Sequence, residues 1–286
     1  MILLRSPLDG SVHLNRWSWL TSLLQQWMLP ALLLGVSASV AAVPIPTDTK
    51  IMALDDARCV ELKSAHVMRA AAPVDCSRLQ VVRFSYVDFN AQVHSDGEIM
   101  VMAAAAPEVR KIFALLLAGR FPLAVARLMN YYQGDDDAAM ADNNTSAFND
   151  RAITGGSAPS LHAYGLAIDV NPLQNPYLNR ADNGIVTVSP PAAKPYAKRL
   201  PLRPGMVTDE IVKIFAEHGF PIWGGDWHQP IDYQHFQVSR KTAEHLATLG
   251  VKEGRAYFES GIVRYRCCLS RNQKKSNVKK ICLLAE

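Results

Sequence analysis

The chain has 286 residues, of which 49% are hydrophobic and 20% charged, and its formal net charge at pH 7 is +4. This is ordinary composition for a soluble globular protein, and the length suffices for one domain with extensions or for two small domains. A chain of this size can bury a large core, so the fold needs neither disulfides nor a structural metal. The sequence has no nucleic-acid recognition motif, which argues against nucleic acid as a partner.

The first 42 residues have the pattern of a secretory signal peptide. Arg5 and Arg16 give a basic start, an apolar run follows, and small residues surround the predicted cleavage after Ala41 or Ala42. We therefore expect export to the periplasm or the cell exterior, with an uncleaved N-terminal membrane anchor as the alternative. No later segment has the roughly 20 apolar residues of a spanning helix, so no stable membrane span is expected after cleavage.

A poorly periodic lead-in at 43–75 precedes the first predicted elements. Two β-rich runs separated by a polar turn predict a hairpin, and a helix and a further strand follow. The helix is indicated by a proline at its first position, an apolar stripe and a final glycine. These elements are strands at Val81–Phe89 and Glu98–Ala103, a helix at Pro107–Gly119 and a strand at Leu123–Tyr132.

A long polar stretch from Gln133 to Ser160 has no period. A loop of this length inside a compact domain is usually functional or disordered, and we favour a functional one because it leads into the main cluster of histidine and aspartate. Beyond it, the sequence predicts a helix at Asp209–His218, a strand, a turn and a strand within 221–238, and a short helix at Thr242–Leu249. Strands and helices do not alternate regularly, so the predicted fold class is α+β.

The five cysteines are interpreted in the light of the predicted export, because disulfides form in oxidising compartments. Cys59 and Cys76 lie close together and could form a bridge, whereas Cys267, Cys268 and Cys282 lie near the C-terminus. The pairing cannot be deduced from spacing, and the odd number leaves at least one thiol free or intermolecular.

The C-terminal residues 252–286 carry nine basic and three acidic residues. Together with the preceding helix they are interpreted as an extension, 241–286, to the main domain. This basic tail either contacts anionic wall polymers or phospholipid headgroups, or is a solvated and partly disordered extension.

Two short segments contain the residues best suited to chemistry. His162 and Asp169 are seven residues apart, and the alternation of apolar residues from 166 to 170 predicts a strand that carries Asp169 to a site. Asp232 and His235 follow some sixty residues later; in an extended segment they would tend toward opposite faces, so a turn or bulge is needed to bring both to one site.

These residue types indicate a catalytic zinc site. Two imidazoles and one carboxylate form a three-ligand set with an open fourth position, which is typical of catalytic rather than structural zinc. A metal-bound water also needs a nearby carboxylate as general base and acid, and Asp232 is the natural candidate.

The pattern Ser-x-His-x-x-Gly-x-Ala-x-Asp at 160–169, followed by Asp-x-x-His at 232–235, resembles the zinc D-alanyl-D-alanine carboxypeptidase family of VanY and VanX type. That family includes phage L-alanyl-D-glutamate endolysins. The similarity runs from about residue 76 to 238 and extends to further motifs at Met140–Asn149, Asn171–Tyr177, Arg203–Met206 and Trp223–Trp227.

The resemblance implies a compact single domain at 76–240, with a mainly antiparallel sheet flanked by helices and one bound Zn²⁺. Arg151 would bind the scissile carbonyl or the substrate carboxylate, and its neighbour Asp150 stands where this subgroup is expected to carry cysteine. The other implied residues are the zinc ligands His162, Asp169 and His235, the catalytic acid and base Asp232, and Ser160, which would form a hydrogen bond within the site. Separately from the resemblance, Trp223 and Trp227 either contact the substrate or pack in the core.

The implied substrate is the peptide stem of peptidoglycan. The first expectation is a D-Ala-D-Ala carboxypeptidase, and the alternative within enzymes is an L-Ala-D-Glu endopeptidase. From another class, the alternative is a non-catalytic, metal-bearing module that binds peptidoglycan, although an intact ligand set and base argue against it.

Overall fold

The computed structural model describes residues 49–181, 183–273 and 277–283. The predicted signal peptide at 1–42 lies outside the described residues. All described elements belong to the unit Ala42–Glu286, which has its own hydrophobic core and two disulfides and therefore has what it needs to fold alone. Within this part of the chain, no helix has both the length and the apolar character required to cross a bilayer.

The described residues form seven α-helices and nine β-strands. The helices are α1 (Asp56–Ser64), α2 (Ala106–Ala118), α3 (Asp136–Ala141), α4 (Asp209–Glu217), α5 (Arg240–Thr248), α6 (Val251–Arg271) and α7 (Val278–Leu283). The strands are β1 (Lys50–Ala53), β2 (Leu79–Val87), β3 (Val93–Met102), β4 (Ala167–Asp169), β5 (Tyr177–Arg180), β6 (Val186–Ser189), β7 (Ile222–Trp223), β8 (Ile231–Asp232) and β9 (His235–Gln237).

The strands form three small antiparallel sheets, in the orders β1-β2-β3, β4-β9-β7 and β6-β5-β8. Helices pack around them, so the predicted α+β class is confirmed, with three sheets in place of a single one. The predicted N-terminal hairpin is confirmed as the β2–β3 pair.

Helix α2 covers the first sheet, as its apolar stripe predicts. Val109, Ile112 and Leu116 are buried, and the ring of Phe113 stacks on that of Phe84 with centroids 3.8 Å apart. The helix ends before Gly119, which forms its C-cap. Burial of this amphipathic face, rather than helix propensity, stabilises the element.

The strand predicted at Leu123–Tyr132 is wrong. The segment makes only isolated bridges, and its end, Met129–Tyr132, is a 3₁₀ turn. The buried residues Leu123, Ala126 and Met129 recur every third position, which does not match the two-residue period of a strand. The polar stretch after it contains the short helix α3, which Asp135 caps by accepting a hydrogen bond from the amide of Ala138.

The second half of the fold confirms the helix predicted at Asp209–His218 and the strand, turn and strand predicted within 221–238. The ring of Phe215 on α4 stacks on that of Phe236 on β9, with centroids 3.9 Å apart. This contact attaches the sheet that carries the candidate site to the core of the domain.

The C-terminal segment is more ordered than a solvated tail. The predicted short helix is confirmed as α5, and Gly250 then serves as the N-cap of the 21-residue helix α6. Gly254, Phe258, Ile262 and Tyr265 form a buried stripe at helical spacing, so the expectation of a disordered extension is wrong for this helix.

Two disulfides cross-link segments near the two ends of the domain. Cys59–Cys76 joins α1 to the turn before β2, and the sequence analysis had named this pairing as one that could form. Cys268–Cys282 joins α6 to α7, whereas Cys267 keeps a free, exposed thiol.

Candidate metal centre and catalytic cleft

Asp169 and His235 are brought together by strand pairing. They lie directly opposite each other in the antiparallel pair of β4 and β9. Residues directly opposite across such a pair have side chains close together. Successive side chains of a strand point to opposite faces, so Asp169 lies on the face of β4 away from Leu166, Ile168 and Val170, as the sequence predicted.

His162 reaches the same place from a 3₁₀ turn, Leu161–Tyr164, that precedes β4. The Ser160 hydroxyl caps this turn by accepting a hydrogen bond from the backbone amide of His162, at 3.3 Å. The turn ends at Gly165, whose φ is +65°, and a Cβ there would lie 2.6 Å from the backbone nitrogen of Met102. Only glycine satisfies both conditions, which explains the Gly in this motif.

His162, Asp169 and His235 form a compact buried cluster, hereafter the metal triad. Nε2 of His162 lies 3.2 Å from Nδ1 of His235 and 3.2 Å from Oδ2 of Asp169. Nδ1 of His235 lies 2.9 Å from Oδ1 of Asp169. One ligand atom from each residue lies within 4.8 Å of the others, as a single metal ion requires.

The outer nitrogen of each imidazole has a fixed partner. Nδ1 of His162 donates a hydrogen bond to the carbonyl oxygen of Ala147 at 2.6 Å, and Nε2 of His235 donates to Oε1 of Gln237 at 2.7 Å. A ring that donates from one nitrogen presents a lone pair at the other. Both lone pairs therefore point toward Asp169, as in metal-ligating histidines oriented by their neighbours.

The charges of the triad also favour a cation. Burial disfavours ionisation of Asp169, but His162 and His235 hold its pKa well below the usual range. Burial lowers the pKa of His235, but the Asp169 carboxylate outweighs it and raises this pKa to about 9. The carboxylate thus attracts positive charge into the cluster, either a proton on His235 or a metal ion in its place, so this donor set fits a bound Zn²⁺.

Asp232 stands beside the triad as a separate carboxyl group. A turn at 233–234 separates β8 from β9, which belong to different sheets, and Asp232 and His235 both line the same cleft, as the sequence required. Burial, followed by the charge of Asp169, raises the pKa of Asp232 to about 7, and its Oδ1 is buried without a hydrogen-bond partner. Gly224 packs against Asp232, and a Cβ at Gly224 would lie 2.5 Å from the Asp232 carbonyl oxygen.

Arg151 lies at the opening of the same cleft. Its Nη2 forms an ion pair with Oδ2 of Asp136 at 2.8 Å, while its Nε is buried without a partner. The neighbouring Asp150 does not line the cleft. Its buried carboxylate accepts hydrogen bonds from the backbone amide, Nε and Nη2 of Arg69. The aspartate found where cysteine was expected thus clamps the lead-in segment to the loop that carries Arg151.

The triad, Asp232 and Arg151 line one cleft of about 560 Å³. Ser160 and Trp227 also line it, and the ring of Trp227 lies 5.5 Å from that of His235. Trp223 lies elsewhere: its indole nitrogen donates to the carbonyl oxygen of Tyr233, and its ring packs on Phe236.

Tyr177, Gln234 and Gln237 are among the cleft residues that the sequence prediction did not include. Tyr177 pairs with Asp232 across β5 and β8 and lines the cleft. The sequence analysis included it in the motif Asn171–Tyr177 but gave it no role in the site. Gln234 lines the cleft with a buried, unpartnered Oε1. Gln237 could have been found from spacing alone, because residues two apart on a strand share a face and Gln237 follows His235 by two.

Comparison with known proteins agrees with this geometry. Residues 154–238 match the model of a family described as D-alanyl-D-alanine carboxypeptidase. No curated protein and no solved structure matches the chain. The matched residues include the whole metal triad and Asp232, while Arg151 lies three positions before them. The segment that carries the metal triad is therefore similar to the D-alanyl-D-alanine carboxypeptidase family of zinc peptidases.

Proposed function

We propose that this chain is an exported zinc-dependent peptidase that hydrolyses peptidoglycan stem peptides, and that it removes the terminal D-alanine as a D-Ala-D-Ala carboxypeptidase. The observation that carries the proposal is a buried His-Asp-His triad beside a separate carboxyl group, within the segment that matches the family. A binding module would not require the second carboxyl.

His162, Asp169 and His235 would hold the metal through Nε2, a carboxylate oxygen and Nδ1. When bound in such a site, zinc polarises a carbonyl and lowers the pKa of water to about 7. The triad's own contribution is to aim two imidazole nitrogens and one ionised carboxylate at the same point. Ala147 and Gln237 maintain that arrangement by accepting the outer N–H groups.

Asp232 would move the proton. Burial raises the pKa of Asp232 above its usual range and so moves its carboxyl group toward the neutral range that favours general acid–base catalysis. Its unpartnered Oδ1 is the atom available for that transfer. In the reaction, Oδ1 would take a proton from the attacking water and return it to the amine that leaves.

Arg151 would bind the anionic end of the peptide. A guanidinium binds a carboxylate through two parallel N–H groups, and Arg151 has one buried N–H without a partner. A side chain that is 28% exposed at the cleft opening can meet the C-terminal carboxylate of the substrate. This placement favours cleavage at the terminal residue over cleavage within the stem.

The proposal is tested with purified residues 42–286 and pentapeptide-bearing muropeptides, incubated with and without a zinc chelator. We expect loss of one terminal D-alanine by mass spectrometry, and no loss in the presence of the chelator. Products cut within the stem would replace the carboxypeptidase by an endopeptidase. Bound zinc with no product from any muropeptide would contradict catalysis and favour a peptidoglycan-binding module.

A further inference from the structure

The C-terminal helices present a cluster of exposed positive charge, hereafter the C-terminal basic face. Three of its residues lie on α6 and two on α7. They are Arg264, Arg266, Arg271, Lys279 and Lys280, all exposed. In the sequence, residues 260–285 contain seven basic residues and no acidic one.

This charge is not compensated locally. Arg264 donates a hydrogen bond to the hydroxyl of Ser260, and Arg266 donates to the carbonyl oxygen of Glu217, so both keep their positive charge next to neutral partners. Within the described residues, none of the five side chains of this face forms an ion pair, whereas Lys111, Arg127 and Arg151 each do.

The face is held rigidly on the domain. Tyr265 and Cys282 pack with Ala216 of α4 in a small core of their own, and the Cys268–Cys282 disulfide fixes α7 to α6. The basic side chains are therefore carried on a preformed scaffold, which reduces the entropy lost when they bind a partner.

The rest of the domain has the opposite charge. Residues 43–251 contain 19 basic and 22 acidic residues. An anionic surface would thus attract the C-terminal basic face and repel the remainder, which orients the molecule.

Within the face, Val263 is 59% exposed and shares one side of α6 with Cys267 and Arg271, at intervals of four residues.

We propose that the C-terminal basic face binds the surface of a membrane that contains anionic phospholipids. Clusters of four to eight Lys and Arg residues recognise anionic headgroups, and each contributes about fivefold in affinity close to the surface. On α6, Arg264 and Arg271 share one side with the exposed Val263, so an extended surface can contact these three side chains together. The Cys268–Cys282 disulfide holds α7, with its two lysines, next to this helix. The exposed Val263 favours a bilayer over a soluble polyanion, because only the bilayer offers an apolar interfacial region to a valine.

The test is sedimentation of residues 42–286 with vesicles of phosphatidylcholine alone or mixed equally with phosphatidylglycerol. We expect binding only to the mixed vesicles, and weaker binding as salt rises, because surface charges are screened over about 10 Å at 0.1 M. The triple variant R271Q/K279Q/K280Q should bind about 100-fold more weakly, since three charges are lost.

A matched control separates the face from net charge. The variant K50Q/K63Q/K241Q removes three exposed lysines elsewhere and should retain binding. Equal loss of binding in the two variants would overturn the proposal. So would wild-type protein that fails to sediment with the mixed vesicles, or that binds soluble polyphosphate but not vesicles.

Thermal melting followed by circular dichroism is the control that both variants fold as the wild type does. Cleavage of soluble muropeptides provides a separate readout that the triple variant should leave unchanged, because the face contains no residue of the cleft. Membrane binding therefore does not depend on the proposed peptidase activity, and either can fail without the other.

Discussion

The metal triad and the rest of the cleft differ in how their polar atoms are partnered. At the triad, each imidazole donates its outer N–H to a fixed acceptor, and the inner atoms converge within 4.8 Å. In the rest of the cleft, Nε of Arg151 and Oδ1 of Asp232 are buried without partners. Both residues line the cleft, where a bound substrate can supply the missing hydrogen bonds. The fold thus prepares the metal site fully and leaves the substrate side incomplete.

Removing a member of the triad should have the largest effect. Asp169→Ala takes away the only carboxylate of the triad, so we expect zinc retention after dialysis to be lost and cleavage to be abolished. Zinc content by mass spectrometry and D-alanine release measure the two results. Asp226→Ala, which removes an exposed aspartate, should change neither. An Asp169→Ala protein that keeps zinc and activity would disprove the ligand assignment.

Asp232→Asn should separate metal binding from turnover. The amide cannot accept the proton, so we expect kcat to fall about 100- to 10,000-fold, the usual contribution of a general acid–base group. Zinc content should remain that of the wild type. Asp232→Glu keeps the carboxyl group and should recover part of the rate. Normal turnover in the asparagine variant would remove Asp232 from the mechanism.

Arg151→Gln should weaken the interaction with the substrate without altering metal binding. Loss of a charged donor to the substrate is expected to lower kcat/KM about 100-fold, with zinc content unchanged. The control is Arg127→Gln, because Arg127 also pairs with an aspartate, Asp142, but does not line the cleft. Equal effects of the two substitutions on kcat/KM would show that Arg151 has no role at the substrate.

Gln237→Leu should have the smallest effect and should act only on the metal. Without the acceptor for its Nε2–H, His235 is less firmly oriented, and such neighbouring groups contribute about 10-fold or more in metal affinity. Competition with a coloured zinc chelator measures the change. Gln80→Leu removes a half-buried glutamine from the first sheet and should leave zinc affinity unchanged. Unaltered affinity in Gln237→Leu would show that the ring is oriented by packing alone.

The structure brings the three predicted metal ligands into one cluster, and local motifs made that proximity predictable. The strand that carries Asp169 follows from alternation, and the turn between Asp232 and His235 follows from their incompatible faces in an extended segment. Contacts between distant segments could not be predicted in this way. The Asp136–Arg151 ion pair joins two ends of a loop without period, and Ala147 takes part through its backbone carbonyl, which any residue would provide.

The errors outside the site have similar physical causes. Leu123–Tyr132 is apolar enough for a strand, but its three-residue burial pattern depends on what packs against it. Helix α6 was obscured by its many charges, although Gly254, Phe258, Ile262 and Tyr265 form a narrow apolar stripe. In the folded domain α4 and α5 pack against this stripe, and that contact could not be deduced from the sequence of α6 alone.

The central claim is that one zinc held by the metal triad makes this domain a peptidase. The most direct measurement removes metal from residues 42–286, adds zinc back in steps, and records bound zinc and D-alanine release together. We predict that the rate rises in proportion to bound zinc and stops rising at one zinc per chain. A metal-free protein that cleaves at the full rate would contradict the account.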